Sequence, residues 1–237
     1  MKKNKLSKNQ KNLRTRIIEI SYKNKLSHIG SCFNAVDLID GVYKVKSKND
    51  IFILSAGHSA VAWYTVLEKY NKNKNYDTIT CIHPDRSTNS DVLVSTGSLG
   101  QGLPIAVGIA LADKNKRVYC MISDGEASEG SIWEALRIIA DNNIYNITVL
   151  ATVNGYGAYD KINANALKRR FEGFGLTVIE IDGHDEKEIE KALKNKLNSP
   201  VLIFANTTSE QLPFLVGQNA HYYVMNDDLS TARENLS

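Results

Sequence analysis

The chain has 237 residues, 43% of them hydrophobic, and a formal net charge of +3. This length and composition allow a full hydrophobic core, and no apolar run reaches the roughly 18 residues needed to span a bilayer. The N-terminus also lacks the apolar core of a signal peptide, so we expect a cytoplasmic protein that has no membrane partner.

Basic residues are concentrated at the start of the chain, where MKKNKLSKNQKNLRTR holds seven of them and no acidic residue. Such runs occur in nucleic-acid-binding segments. Here, however, apolar residues recur at helical spacing through LSKNQKNLRTRIIEISYK. This pattern predicts a helix over about residues 6–25 with its charges facing solvent, and we expect no nucleic-acid partner.

The three cysteines are Cys32, Cys81 and Cys120. They are odd in number and show no C-x-x-C spacing, which indicates neither a disulfide framework nor a zinc site. We expect reduced thiols that are mostly structural.

Short β-rich runs alternate with helical stretches along the chain. Strands are predicted at IFILS from residue 51, DVLVS from 91, RVYCMIS from 117, ITVLATV from 147, LTVIEI from 176 and PVLIFANT from 200. Helices are predicted near residues 34–45, 58–70, 99–113, 128–142, 161–172 and 185–197. The alternation predicts one α/β domain over residues 1–237, doubly wound, with a mostly parallel sheet and helices on both faces. Ligands of such folds bind at the carboxyl ends of the strands.

An acidic residue directly follows a predicted buried strand in VYCMISDGEASEGSIWEAL, residues 118–136. Asp124 lies at the end of the strand, and Gly125 permits a tight turn into the helix that begins near Ser128. The helix N-terminus offers free N–H groups and a partial positive charge, which suit a phosphate. Because a phosphate would repel the Asp124 carboxylate, a divalent cation between the two is the natural explanation.

Magnesium takes six oxygen ligands, so Asp124 needs partners. The next strand ends in ATVNGYG, which places Asn154 thirty residues after Asp124, and beside it if the two strands are neighbours. The Asn154 side-chain oxygen and the Tyr156 carbonyl would complete the protein's ligands for Mg²⁺ or Ca²⁺. The alternative, that Asp124 caps a helix and Asn154 starts a turn, explains these two motifs equally well.

The combination of Asp124 and Asn154 resembles the thiamine-diphosphate-binding motif. More of the chain resembles the N-terminal half of transketolase, as in the split transketolases whose two halves are separate chains. The resembling segments are LSHIGSCFNAVDLI from residue 26, FILSAGHSA from 52, HPD from 83, VSTGSLGQGL from 94, SDGEASEGSIWEAL from 123, VNGYG from 153, FEGFGLTVIEIDGHD from 171 and AHYYVMND from 220. They follow one another in the family's order and cover nearly the whole chain.

The resemblance implies roles for four histidines. His28 would act at the reacting end of the substrate, and His83 would contact a substrate hydroxyl or carbonyl. His58 and His221 would lie near the cofactor's diphosphate. We take His28, His58 and His83 as candidate catalytic residues, because a pKa near neutrality suits proton transfer. His184, in DGHD, is expected to be structural.

Further cofactor contacts follow from the same resemblance. Gly97 and Leu99 would support the aminopyrimidine and thiazolium rings, Gly125 would donate its N–H to the diphosphate, and Glu129 matches a buried glutamate that links paired active sites. The implied cofactor-binding residues are His58, Gly97, Leu99, Asp124, Gly125, Glu129, Asn154 and His221, with Asp124, Asn154 and Tyr156 as metal ligands.

The chain departs from the family at several positions. Ser123 replaces the first glycine of the metal motif, and Ile82 replaces the glycine usual before the His-Pro pair. The segment ANTTSEQLPF, from residue 205, stands where the family has a Lys-Thr and glycine-rich stretch, and Tyr222 replaces a glycine common after the late histidine. The altered positions lie near the channel to the cofactor, so they leave the substrate class open.

The resemblance implies transfer of a two-carbon ketol unit from a ketose phosphate to an aldose. Thiamine catalysis also needs a glutamate that the family carries in its C-terminal half. We therefore expect a heterotetramer with two copies of each chain, in which the second chain is a C-terminal, pyrimidine-binding partner subunit. Two alternatives stay open: a subunit of a thiamine-dependent 2-oxoacid decarboxylase or dehydrogenase, and a non-catalytic regulatory paralogue.

Overall fold

The centre of the fold is a five-stranded, all-parallel β-sheet in the order β1-β2-β3-β5-β4. The computed structural model describes residues 6–79, 82–87, 91–157, 160–195 and 199–237, apart from the side chains of residues 218 and 219. The strands are β1 (Ile51–Leu54), β2 (Val118–Ser123), β3 (Ile147–Val153), β4 (Thr177–Asp182) and β5 (Val201–Asn206). The predicted doubly wound α/β class is confirmed.

Burial follows position in the sheet. Every residue of β2 and β3 is buried, whereas the edge strand β4 is mostly half-buried. Both strands consist mostly of apolar residues, which suit a pleated surface that is covered on both sides. Their apolar runs therefore place them at the centre of the sheet.

Helices cover both faces of the sheet. They are α1 (Lys8–Asn24), α2 (Ile29–Val45), α3 (Ala60–Tyr70), α4 (Gly102–Ala112), α5 (Gly130–Asp141), α6 (Ala164–Gly173), α7 (Glu186–Leu193) and α8 (Leu229–Leu236). One hydrophobic cluster joins the sheet to α1, α2, α3, α7 and α8, and a second joins its other face to α4, α5 and α6. In the described part of the chain, no helix is long and apolar enough to cross a membrane.

One predicted strand is wrong. The segment DVLVS from residue 91 forms turns and pairs with none of the five strands. Val92 is buried while Leu93 is 42% exposed, so only part of this apolar run packs into the core. The segment instead leads into the glycine-rich loop before α4, where Thr96 Oγ1 donates to the Leu54 carbonyl at 2.6 Å.

The thiols that the structure describes are structural, as predicted. Cys32 and Cys120 are free and fully buried. Burial raises the pKa of Cys32 to about 12 and that of Cys120 well above its ordinary value, so both stay protonated and unreactive. Cys81 lies outside the described residues.

A buried ionic network connects the N-terminal helices α1 and α2 to the loops that follow β4 and β5. Arg14 on α1 and Asp37 on α2 form a bidentate pair with distances of 2.6 and 2.9 Å, and the Arg14 side chain is fully buried. His184, after β4, places Nδ1 2.8 Å from Asp37 Oδ2 and accepts the Thr208 N–H on Nε2 at 3.0 Å. The network thus reaches from α1 to the loop after β5, and His184 has the structural role expected of it.

We predict that Asp37→Ala lowers the free energy of unfolding by roughly 3–5 kcal/mol, because it leaves the Arg14 guanidinium buried and unpaired. Burial alone would raise the pKa of Asp37, but the charge and hydrogen bonds of Arg14, with those of His184, hold it at about 2. The folded-state pKa is thus below the unfolded one, so the Asp37 contribution is fully present above about pH 4 and is lost as the pH falls through 2.

Urea unfolding at pH 7 and pH 2 measures both effects. Arg137→Ala, which removes the exposed Arg137–Asp141 pair on α5, serves as the control and should change stability little. An Asp37→Ala protein as stable as the control variant would contradict the prediction.

Candidate active site

A pocket lies at the carboxyl ends of the strands, where the fold class predicts ligand binding. It is bordered by the loops after β1, β2, β3 and β5 and by the first turns of α2. Six of the residues proposed from the sequence line it: His58, Asp124, Gly125, Asn154, Tyr156 and His221. The structure therefore brings the metal motif and two of the histidines together in one cleft.

Asp124 is the most constrained residue of the pocket. It follows β2 directly and is 3% exposed. Its Oδ2 accepts the N–H groups of Asn154 at 3.0 Å and Gly155 at 2.8 Å, and its Oδ1 accepts the N–H of Gly125 at 3.0 Å. Burial raises the pKa of Asp124 to about 6, although the three N–H groups oppose this shift. None of the ion pairs found among the described residues includes Asp124.

The oxygen donors around Asp124 fit a hard divalent cation. Asn154 lies beside Asp124 because β2 and β3 are neighbours, which is the condition that the sequence analysis set for this pairing. The Asn154 side-chain oxygen accepts the Tyr156 N–H at 2.8 Å, which fixes the turn that carries the Tyr156 carbonyl. Within the described ranges, no group of three or more His, Cys, Asp and Glu side chains could hold a metal ion. One carboxylate with neutral oxygens suits Mg²⁺, which keeps several non-protein ligands.

Three histidines form a cluster at the pocket, and two of them, His58 and His221, line it. His28 lies between α1 and α2 with φ of 65°, and its N–H donates to the His221 carbonyl at 3.1 Å. The His28 ring centroid is 4.4 Å from that of His221 and 5.5 Å from that of His58. Tyr222 packs its ring edge against His221 at 4.6 Å and is 59% exposed. The structure thus joins residues from three distant segments into one group.

Burial and mutual repulsion keep these imidazoles neutral. Burial, with the positive charges that His221 and His83 would carry, lowers the pKa of His28 to about 4. The same causes, with His28 and His221 as the nearest neighbours, lower the pKa of His58 to about 3. Burial also lowers the pKa of His83 and of His221. At neutral pH each ring can therefore accept a proton or donate one hydrogen bond.

His83 and the glycine-rich loop lie together, next to the cluster. At Gly97, with φ of 141°, a Cβ would lie 2.8 Å from the His83 ring, and at Gly57 a Cβ would lie 2.7 Å from the Gly97 nitrogen. These approaches require glycine, because any side chain would clash with the neighbouring ring or backbone. His83, Gly97 and the half-buried Leu99 are not among the residues that line the pocket itself.

Glu129 is the N-cap residue of α5, makes no side-chain capping hydrogen bond and is partly exposed in this chain, so its role as a buried link between active sites stays a prediction. The buried carboxylate of this turn is Glu126, which the sequence analysis missed. Glu126 is 0% exposed and accepts hydrogen bonds from Ser55 Oγ at 2.7 Å and from the Gly100 N–H at 2.9 Å. It connects the end of β1 and the glycine-rich loop to the Asp124 turn, and its position two residues after Asp124 is the one local signal that could have found it.

The comparisons with known proteins agree with this geometry. A family model described as the transketolase, thiamine diphosphate binding domain matches residues 22–221. Transketolase of Pongo abelii is 31% identical over 208 residues, which cover 76% of this chain and 33% of that protein. One of the subunits of the apulose-4-phosphate transketolase of Actinobacillus succinogenes is 27% identical over 264 residues, which cover 98% of this chain and 95% of that protein.

Solved structures show the same likeness. The crystal structure of transketolase from Campylobacter jejuni superposes with a TM-score of 0.84 and 28% identity, over 97% of this chain and 42% of that one. The chain thus spans about a third of the curated transketolases that it matches and nearly all of the Actinobacillus succinogenes relative. Because the family model matches most of its length, the chain belongs to the transketolase family as a thiamine diphosphate binding domain.

Proposed function

We propose that this chain is the diphosphate-binding subunit of a two-chain transketolase-type enzyme, which transfers a two-carbon ketol unit from a ketose phosphate to an aldose. The observation that carries the proposal is the pocket in which Asp124 and Asn154 meet, next to a cluster of neutral histidines. Family membership and the name of the Actinobacillus succinogenes relative, which describes it as a transketolase subunit, support it. A cytoplasmic location and a place in carbohydrate metabolism go with this proposal.

Thiamine diphosphate would supply the electron sink that makes a carbon–carbon bond next to a carbonyl breakable. This chain's residues would hold the diphosphate end of the cofactor. Asp124, Asn154 and the Tyr156 carbonyl would hold Mg²⁺, or Ca²⁺, against the diphosphate oxygens. Gly125 would donate its N–H to the diphosphate. In the structure this N–H donates to Asp124 Oδ1.

The histidines would serve the substrate side of the pocket. His28 and His83 would donate hydrogen bonds to substrate hydroxyl or carbonyl oxygens, and His58 and His221 would face the diphosphate. Their lowered pKa values favour the neutral ring, which can donate one hydrogen bond and accept another at neutral pH. An entering anion would raise these pKa values, because it stabilises the protonated ring.

A C-terminal partner subunit would complete the site, in a heterotetramer of two copies of each chain. The surface that we assign to the partner is the outer face of α4 together with the start of α5. Helix α4 contains no charged residue and exposes Pro104, Gly108 and Leu111, which recur at helical spacing. An uncharged, apolar helix face with small residues permits close approach of another backbone.

We predict that Asp124→Asn lowers the Mg²⁺-dependent affinity for thiamine diphosphate by more than about 100-fold, because it removes the only carboxylate of the proposed ligand set. Titration calorimetry of the assembled complex measures the affinity, and circular dichroism checks the fold. Asp227→Asn, at an exposed carboxylate outside the pocket lining, is the control. Unchanged affinity in Asp124→Asn would remove the metal assignment.

Substitution of His58 and of His28 should affect different steps, cofactor binding in one case and turnover in the other. We predict that His58→Ala weakens thiamine diphosphate binding by about tenfold, because a hydrogen bond to a charged group is lost. His28→Ala should instead reduce kcat by about 100-fold or more with little change in cofactor affinity. Steady-state kinetics and cofactor titration on the same preparations separate the two effects, and indistinguishable losses would contradict this division.

We predict no ketol transfer by the purified chain with Mg²⁺ and thiamine diphosphate, and full activity when a C-terminal partner chain is added. Gly108→Arg should abolish association without loss of stability, because a Cβ there meets nothing within 4 Å in this chain. Gly173→Arg, at an equally open and exposed helical glycine on α6, is the matched control.

Native mass spectrometry measures the assembly, and a coupled assay with donor and acceptor sugars measures the transfer. Robust turnover by the chain alone would show the two-chain proposal to be wrong. Decarboxylation of a 2-oxoacid, or cofactor binding by the assembled complex with no turnover, would favour one of the alternative functions.

A further inference from the structure

Asn34 on α2 is a buried polar side chain without an internal partner. It is 2% exposed, and neither its amide nitrogen nor its amide oxygen makes a hydrogen bond to any residue that the structure describes. A buried amide that gives up its bonds to water and gains none destabilises the folded protein. Because such groups are rare in native proteins, each one calls for an explanation.

The position of Asn34 supplies that explanation. It borders the same pocket as Asp124 and Asn154, together with Gly30 and Ser31. Residues 30, 31 and 34 lie on one face of α2, since positions three and four apart are neighbours on a helix. The unpartnered amide therefore belongs to the wall that α2 contributes to the pocket.

The same wall has a second feature that suits a ligand. Helix α2 is 17 residues long, and its N-cap residue, His28, makes no side-chain hydrogen bond to the first turn. The first N–H groups of a helix have no partner within the helix and carry a partial positive charge. Gly30 and Ser31, in this uncapped turn, therefore face the pocket together with the Asn34 amide.

The charges in the pocket indicate what the wall binds. No Lys or Arg occurs among the described residues that line the pocket. An anion held there must therefore be bound by N–H groups of the backbone, of amides and of the neutral rings of His58 and His221, and by a metal ion, rather than by Lys or Arg. A phosphate group, with several acceptor oxygens, matches a helix N-terminus and an amide donor.

We propose that Asn34 and the first turn of α2 form a phosphate-binding element, in which Asn34 Nδ2 donates to a phosphate oxygen and Oδ1 accepts from a water bound to the same phosphate. The element holds the diphosphate from the α2 wall of the pocket that it shares with the Asp124 metal motif. Identifying that diphosphate as part of thiamine diphosphate rests on the proposed function, whereas binding of a diphosphate by Asn34 does not.

The test compares stability and affinity in one variant. Asn34→Leu, which has nearly the same size and no polar atoms, should leave the Tm of the ligand-free full chain unchanged or raise it. Its affinity for Mg²⁺ with inorganic pyrophosphate, measured by calorimetry or by the ligand-induced shift in Tm, should fall about tenfold. Asn34→Asp should lose more affinity than Asn34→Leu, because its charge repels the phosphate.

Asn146→Leu is the matched control. The Asn146 amide donates to the carbonyls of Ala110, Asp113 and Lys116 at 2.9–3.2 Å, outside the pocket. Its loss should lower the Tm and leave pyrophosphate affinity unchanged, which is the opposite pattern. Asn34→Ala, which cannot overpack the site, repeats the affinity measurement if the leucine does not fit.

Two results would overturn the proposal. Unchanged pyrophosphate affinity in Asn34→Leu and Asn34→Ala would show that the amide binds at most an internal water, and a fall in Tm like that of Asn146→Leu would indicate a structural role. The proposed function fails by a different result: a chain that binds pyrophosphate through Asn34 but neither binds thiamine diphosphate nor supports ketol transfer with a partner.

Discussion

The site depends on the parallel pairing of β2 with β3. That register places Ser123 opposite Thr152. The two strands therefore end side by side, and Asp124 meets the start of the loop after β3. The Asp124 carboxylate then accepts the N–H groups of Asn154 and Gly155. The buried Asp124 side chain therefore connects the loops after β2 and β3. Because both strands are fully buried, they fix the positions of these loops at the pocket.

Burial raises the pKa of the acid Asp124 and lowers the pKa values of the histidines, and both shifts favour the uncharged form of the side chain. The pKa of Asp124 is raised to about 6, while those of His28 and His58 are lowered to about 4 and 3. With no Lys or Arg in the described lining, a phosphate alone would meet the Asp124 carboxylate. A cation alone would find the carboxylates of Asp124 and Glu210 among neutral oxygens. The pocket therefore suits a cation and a diphosphate that enter together, each providing the charge that the other needs.

How far the sequence predicts the structure differs between elements. The apolar runs of β2 and β3 identify buried strands. Asp124 and Asn154 meet because each follows one of these two strands, and β2 and β3 are neighbours in the sheet. The pattern at DVLVS misleads, because a short β-rich run does not reveal whether a neighbouring strand is available for pairing. Glu126 and Asn34 were missed for a related reason: their burial is created by segments far away in sequence, such as Ser55 and Gly100 for Glu126.

Contacts within this chain already hold part of the pocket in place. The loop after β5, which lines the pocket through Thr208, is held by His184, and His184 is held in turn by the buried pair Arg14–Asp37. The pocket walls are thus fixed by contacts within this chain. A partner that docks on the apolar face of α4 does not have to organise the diphosphate site, and less of the association free energy is spent on ordering it. In the proposed function, this chain would therefore bind the phosphate end of the cofactor, and the partner would complete the reacting end.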